Sequence, residues 1–128
     1  AEVLAFLSDR VERAVAAGIP LERLIIDPGY DLNKNTCHSL ELIRRLEEIV
    51  AIGPPTLVAV SNKDFIGETL DRGKSERLEG SLAAAVICIM KGARIIRVHD
   101  VAATLRAARM TEAVMGFRKP AHARHNLG

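Results

Sequence analysis

Three short apolar runs, each ending in polar residues, set the strongest limit on how this chain can fold. The runs are Leu24-Ile25-Ile26, Leu57-Val58-Ala59-Val60 and Ile95-Ile96. They lead into Asp27-Pro28-Gly29, Ser61-Asn62-Lys63 and Arg97-Val98-His99-Asp100. Continuous apolar runs suit parallel strands covered on both faces. The residues at the carboxyl ends of such strands sit where α/β folds build their sites. An acid, a lysine, an arginine and a histidine are therefore expected around one rim.

The intervening stretches have helical spacing. Val3, Leu4, Leu7, Val11, Ala14 and Val15 share one face, and Gly18 and Pro20 end that helix. After a polar loop from Tyr30 to Thr36, Leu42, Ile43, Leu46, Ile49 and Val50 predict a second helix, stopped by Gly53-Pro54-Pro55. Residues 62–67 can open a short helix with Asp64 near its start, and 71–74 read as loop. Ser75 is a plausible cap for a third long helix whose Leu78, Leu82, Val86 and Ile89 face inward, with Gly92 as its stop. A last helix is expected from about Val101 to Met115, capped by Asp100.

The order α-β-α-β-α-β-α implies parallel strands with right-handed crossovers. Strand starts at Leu24, Thr56 and Arg94 lie 32 and 38 residues apart. An eight-stranded barrel of about 250 residues has roughly 31 per unit. Three consecutive βα units of a (β/α)8 TIM barrel fit this spacing, as does part of an open doubly wound sheet. Three strands cannot close a barrel, so open sheet edges and self-association are expected. The first residues carry no helix start signal, and the chain is expected to begin partway through a larger protein. Residues 1–116 form the expected barrel portion and 117–128 a basic tail.

Composition narrows the function classes. Aromatics make up 3% of the 128 residues, with no Trp, which disfavours a stacking platform for single-stranded nucleic acid. A net charge of +2 is too small to argue for a nucleic-acid or membrane partner. No apolar run approaches the ~18 residues of a membrane span. The two cysteines, Cys37 and Cys88, form neither a metal spacing nor a disulfide framework, and a cytoplasmic location fits them.

Several residues could carry chemistry, each with a plain structural alternative. The Asp27 carboxylate can accept two N–H bonds from an aminopyrimidine-like ring, or close an ordinary Asx turn. Lys63 can donate to a ligand or sit solvated in its loop. Arg97 and His99 alternate on one strand and so share a side, suited to an anion or simply exposed on an edge. Ser61 could act as a nucleophile only with a base nearby; His99 is the one candidate, and no motif joins them. Cys37-His38 reads as helix entry and Cys88 as a small core residue.

Taken together these stretches resemble the pterin-binding barrel family, in particular the dihydropteroate synthases. The matching segments are Ile25-Ile26-Asp27-Pro28-Gly29, residues 39–46, Val58-Ala59-Val60-Ser61-Asn62-Lys63 with 64–67, residues 77–85, and Arg97-Val98-His99-Asp100 with 101–104. The resemblance covers roughly residues 1–115 and corresponds to the last three units of the barrel. It implies a cytoplasmic transferase of folate biosynthesis that condenses a dihydropterin methyl diphosphate with p-aminobenzoate. It further implies pterin contacts from Asp27, Lys63 and Arg97, and diphosphate contacts from Arg97 and His99. Mg2+ is implied with no ligand in this segment, as is a homodimer of the full-length protein. The segment alone is expected to be inactive.

Two departures alter the second-substrate pocket, which the resemblance places at Leu32, Ser61, Asn62 and Asp64. Ser61-Asn62-Lys63-Asp64 stands where the family has Ser-Arg-Lys-Ser, and Asp31-Leu32-Asn33-Lys34 where it has Gly-Phe-x-Lys. Asp64 is expected to occupy a positive helix end and repel the p-aminobenzoate carboxylate, at a cost of about 1–4 kcal/mol for like charges ~4 Å apart. Leu32 removes an aromatic wall. The alternatives are a pterin-diphosphate-binding homologue with another amine or no synthase activity, or a non-catalytic partner protein.

Overall fold

The computed structural model of the chain describes residues 1–126. The last two residues of the expected tail, 127 and 128, lie outside the described residues. Helix α1 (Glu2–Ala16) leads into a 3-10 turn at Leu21–Arg23 and the first apolar run. Helices α2 (Thr36–Arg44) and α3 (Leu46–Val50) follow, then strand β1 (Leu57–Val58) and helix α4 (Asp64–Leu70). A second 3-10 turn at Lys74–Glu76 precedes α5 (Leu78–Met90), strand β2 (Ile95–Ile96) and α6 (Val101–Val114). Residues 117–126 form no helix or strand.

β1 and β2 pair in parallel, Leu57 opposite Ile95 and Val58 opposite Ile96. The first run joins by one parallel bridge between Ile26 and Thr56 rather than by a full strand. The reason is chemical. The bridge consists of Ile26 N–H to Pro55 O at 3.0 Å and Leu57 N–H to Ile26 O at 2.7 Å. The next rung on either side would need an N–H from Pro28 or from Pro55, and proline has none. Spatial order is therefore first run, β1, β2, all parallel, which makes the chain a partial (β/α) barrel.

The core lies between this sheet and the helices. Tyr30, Phe65, Leu46, Val58 and Val60 are fully or almost fully buried. Each such side chain is worth about 1.5–3 kcal/mol of burial. α5 meets the core with Ser81, Ala84, Ala85 and Cys88, small residues that let its backbone come close. Ser75 does not cap α5; the 3-10 turn intervenes and the helix begins at Leu78. The expected second helix is two, broken at Arg45, whose φ of −107° leaves the helical range. Asp100 does cap α6, accepting from Ala103 N–H at 3.0 Å.

Candidate functional site

The loop after Ile26 is shaped by its own polar groups. Asp27 Oδ1 accepts from Gly29 N–H at 2.8 Å, an Asx-type turn that leaves the carboxylate exposed at the strand tip. Gly29 has φ +72°, which a glycine adopts without strain. Lys34 Nζ donates to Gly29 O and Leu32 O, both at 2.9 Å, and so clamps the loop from below. Tyr30 then turns inward and sets its ring 6.1 Å from that of Phe65.

Lys63 belongs to the same corner. Its Nζ donates to Tyr30 O at 2.7 Å, which ties the exit of β1 to the Asp27 loop. An ammonium has three donors, so two remain for a ligand.

At the third run, the N–H groups of alternate residues all face β1. Ile95 N–H reaches Thr56 O at 3.3 Å and Arg97 N–H reaches Val58 O at 3.0 Å. His99 N–H follows, but it meets the Ser61 hydroxyl at 3.2 Å instead of a backbone carbonyl. β2 itself ends at Ile96 and His99 sits at a bend, but the N–H groups of Arg97 and His99 both turn toward the chain that leaves β1. His99 Nδ1 lies 3.0 Å from the same Ser61 Oγ. Sequence offered no motif joining these two residues; the parallel ladder brings them together. The exposed Arg97 guanidinium has no salt-bridge partner among the described residues.

One expectation about the acids is corrected. Asp64 is the first residue of α4, but its carboxylate turns to Arg77, 3.2 Å away, and stays mostly in solvent. The acid on the helix end is Asp31. Its Oδ2 accepts from Phe65 N–H at 3.2 Å, and its Oδ1 accepts from the Ser39 hydroxyl at 3.1 Å. Asp31 itself sits at φ +64°. Asp31 stands where the family has glycine, and the signal in the sequence is that Asp tolerates this left-handed region better than most residues. Leu32 is 66% exposed. Asn62, at φ +55°, donates its N–H to Ser81 Oγ at 2.8 Å, and its buried side-chain oxygen has no partner among the described residues.

Arg77, also unmarked in the sequence, organises the far side. It donates to Asn62 O at 3.2 Å and lies so close over Gly67 that a Cβ there would fall 2.3 Å from it. Behind the rim, burial pushes the Tyr30 phenol above its ordinary range and Cys88, beside it, up to about 11. Both are therefore neutral core groups rather than reactive ones. Cys37 is exposed at the start of α2, where His38 closes a capping box with Asn35.

Among the described residues no group of three His, Cys, Asp or Glu side chains gathers around a possible metal position. The rim donors Lys63, Arg97 and His99 suit an anion, not Mg2+. A cleft of about 850 Å3 opens between α1 and the Asp27 loop. It takes in Asp27 and Leu32, while Lys63, Arg97 and His99 are not among its lining residues. No helix among the described residues is long and apolar enough to cross a membrane.

Comparison with known proteins follows the same lines. Residues 1–99 match the family model described as pterin binding enzyme. "Inactive dihydropteroate synthase 2" of Mycobacterium tuberculosis (strain ATCC 25618 / H37Rv) is 48% identical over 118 residues, covering 92% of this chain and 37% of that protein. Dihydropteroate synthase of Escherichia coli (strain K12) is 45% identical over 119 residues, covering 93% and 42%. The solved structure of dihydropteroate synthase from Thermus thermophilus in complex with 4-aminobenzoate superposes with a TM-score of 0.83 at 45% identity, covering 90% of this chain and 46% of that one. The chain thus spans about two fifths of the length of the curated relatives it matches.

Proposed function

The chain belongs to the pterin binding enzyme family, and on that premise we propose that it carries part of a dihydropteroate synthase-like site for a dihydropterin methyl diphosphate. Asp27 accepts from the aminopyrimidine edge and Lys63 donates to the ring from the other side. Arg97 lies against the ring and reaches the diphosphate, to which His99 also donates. The observation that supports this reading is the Ser61–His99 contact two residues along from Arg97, an exposed guanidinium that forms no salt bridge among the described residues. A guanidinium together with an oriented N–H donor is what a leaving diphosphate needs.

In the full-length protein the amine nitrogen of a second substrate attacks the methylene carbon. The new C–N bond forms as the C–O bond to the diphosphate breaks, the oxygen keeps the electron pair, and the amine proton passes to solvent. Arg97 and His99 stabilise the charge that grows on that oxygen. The free thiol of Cys37 is consistent with work in the reducing cytosol. A homodimer of the full-length protein is part of the same proposal.

A second reading, loss of ordinary turnover with p-aminobenzoate, is favoured by the acids. Asp31 already accepts the Phe65 N–H at the start of α4, Asp64 lies next in sequence to Phe65, and Leu32 offers no aromatic wall. The Asp31 carboxylate at that helix end opposes an amine that bears a carboxylate of its own. The test is calorimetric titration of the full-length protein with the pterin diphosphate, alongside dihydropteroate formation from p-aminobenzoate. Binding that Arg97→Ala abolishes is expected, and absence of binding by the unaltered protein overturns the site. Turnover within tenfold of an ordinary synthase overturns the second reading only.

A further inference from the structure

Ser61 Oγ does two things at once: it accepts the His99 N–H at 3.2 Å and lies 3.0 Å from His99 Nδ1. Ser61 is only 8% exposed, so its own proton needs an acceptor. If Nδ1 carried a proton, Oγ would accept twice and the hydroxyl proton would have nowhere to go. Among the described residues the hydroxyl makes no other hydrogen bond. With Nδ1 bare, every group is satisfied: the oxygen accepts from the backbone and donates to the ring.

We propose that Ser61 is a positioning residue that holds His99 in the tautomer with the proton on Nε2, so that the ring offers a neutral N–H donor to an oxyanion beside Arg97. The nature of that oxyanion rests on the diphosphate site proposed above; the tautomer does not. Neutral imidazole has one donor and one acceptor nitrogen, and the hydrogen bond made by one fixes the role of the other. Two bonds from a single buried atom, one to the backbone and one to the ring, also fix the ring's rotation. Ser61 is unsuited to act as a nucleophile with His99 as base, although the distance alone would allow it. It is buried, a lone pair already receives a backbone N–H, and no carboxylate among the described residues holds Nε2.

Long-range 15N–1H NMR of the histidine rings in the full-length protein, at neutral pH and with His99→Gln to assign the resonances, decides the matter. An unprotonated Nδ1 and a protonated Nε2 are expected for His99. Ser61→Ala should shift both nitrogens toward a mixture of tautomers, and Ser61→Thr, which keeps the hydroxyl, should restore them. Titration with inorganic pyrophosphate should show about tenfold weaker binding for the alanine variant and recovery for the threonine variant, the loss expected for one hydrogen bond. A protonated Nδ1 in the unaltered protein, or 15N shifts unmoved by Ser61→Ala, overturns the proposal. Failure of pyrophosphate to bind the unaltered protein instead counts against the diphosphate site, and the NMR result then decides the role of Ser61 by itself.

Discussion

Asp31 accepts from the Ser39 hydroxyl and from Phe65 N–H, and returns its own N–H to Ser39 Oγ at 3.2 Å. These bonds join the loop after the first run to α2 and α4. Asp31→Ala removes both acceptors and strands the buried Ser39 hydroxyl. Urea unfolding of the full-length protein should show a loss of about 1–3 kcal/mol, with the m-value unchanged; Asp31→Asn, which keeps one acceptor, should lose less. The Thr56 hydroxyl is the opposite case, buried with no partner among the described residues. Thr56→Val keeps its shape and removes an unsatisfied group, so the midpoint of thermal unfolding should hold or rise. A clear fall would reveal a hydrogen bond to that hydroxyl. Of these two residues only the first left any trace in the sequence, because side-chain roles depend on partners far along the chain: Phe65 is 34 positions from Asp31.

At the scale of elements, α4 and α5 meet through Gly80. A Cβ there would fall 2.5 Å from Ile66 Cγ2 and 2.8 Å from Leu70 Cδ1. Glycine inside a helix normally costs about 0.5–1 kcal/mol relative to alanine. Here the contact reverses that preference. Gly80→Ala should lower stability by about 1–3 kcal/mol through overpacking, measured as a fall in the thermal midpoint; a rise would mean that the two side chains yield freely. Helices α1 and α6, and the positions of all three apolar runs, were legible because periodicity and run length are local signals. The reduction of the first run to one bridge was legible too, in Pro28 and Pro55, but only once its register against Thr56 was known. The break at Arg45 was not, since Leu42, Ile43, Leu46, Ile49 and Val50 keep an apolar face across it. Rim residues could be placed because strand ends can be placed; the Ser61–His99 bond follows from which carbonyl the ladder skips, and register is a property of two strands together.

For the whole molecule, two paired strands and a bridge leave the sheet open along both outer sides. An open strand edge presents unpaired N–H and C=O groups and is a template for association. Apolar exposure adds to it: Val101 is 64% exposed, Met110 65%, Val114 72% and Phe117 74%, all on or just after α6, while Phe6 on α1 is 56% exposed. On α1, Arg10 lies over Phe6, 4.7 Å from the ring centroid, and Phe6 still remains 56% exposed. Apolar surface of this kind favours association when it is contiguous. The 128-residue chain by itself should therefore elute from size exclusion as dimers and larger species, with apparent mass rising as protein concentration rises. Phe117→Ser with Val114→Ser should shift the profile toward smaller species if the α6 face drives association, and leave it unchanged if the strand edges do. A chain that elutes as a monomer at every concentration would show that its edges are covered from within, which the parallel order of first run, β1 and β2 does not provide.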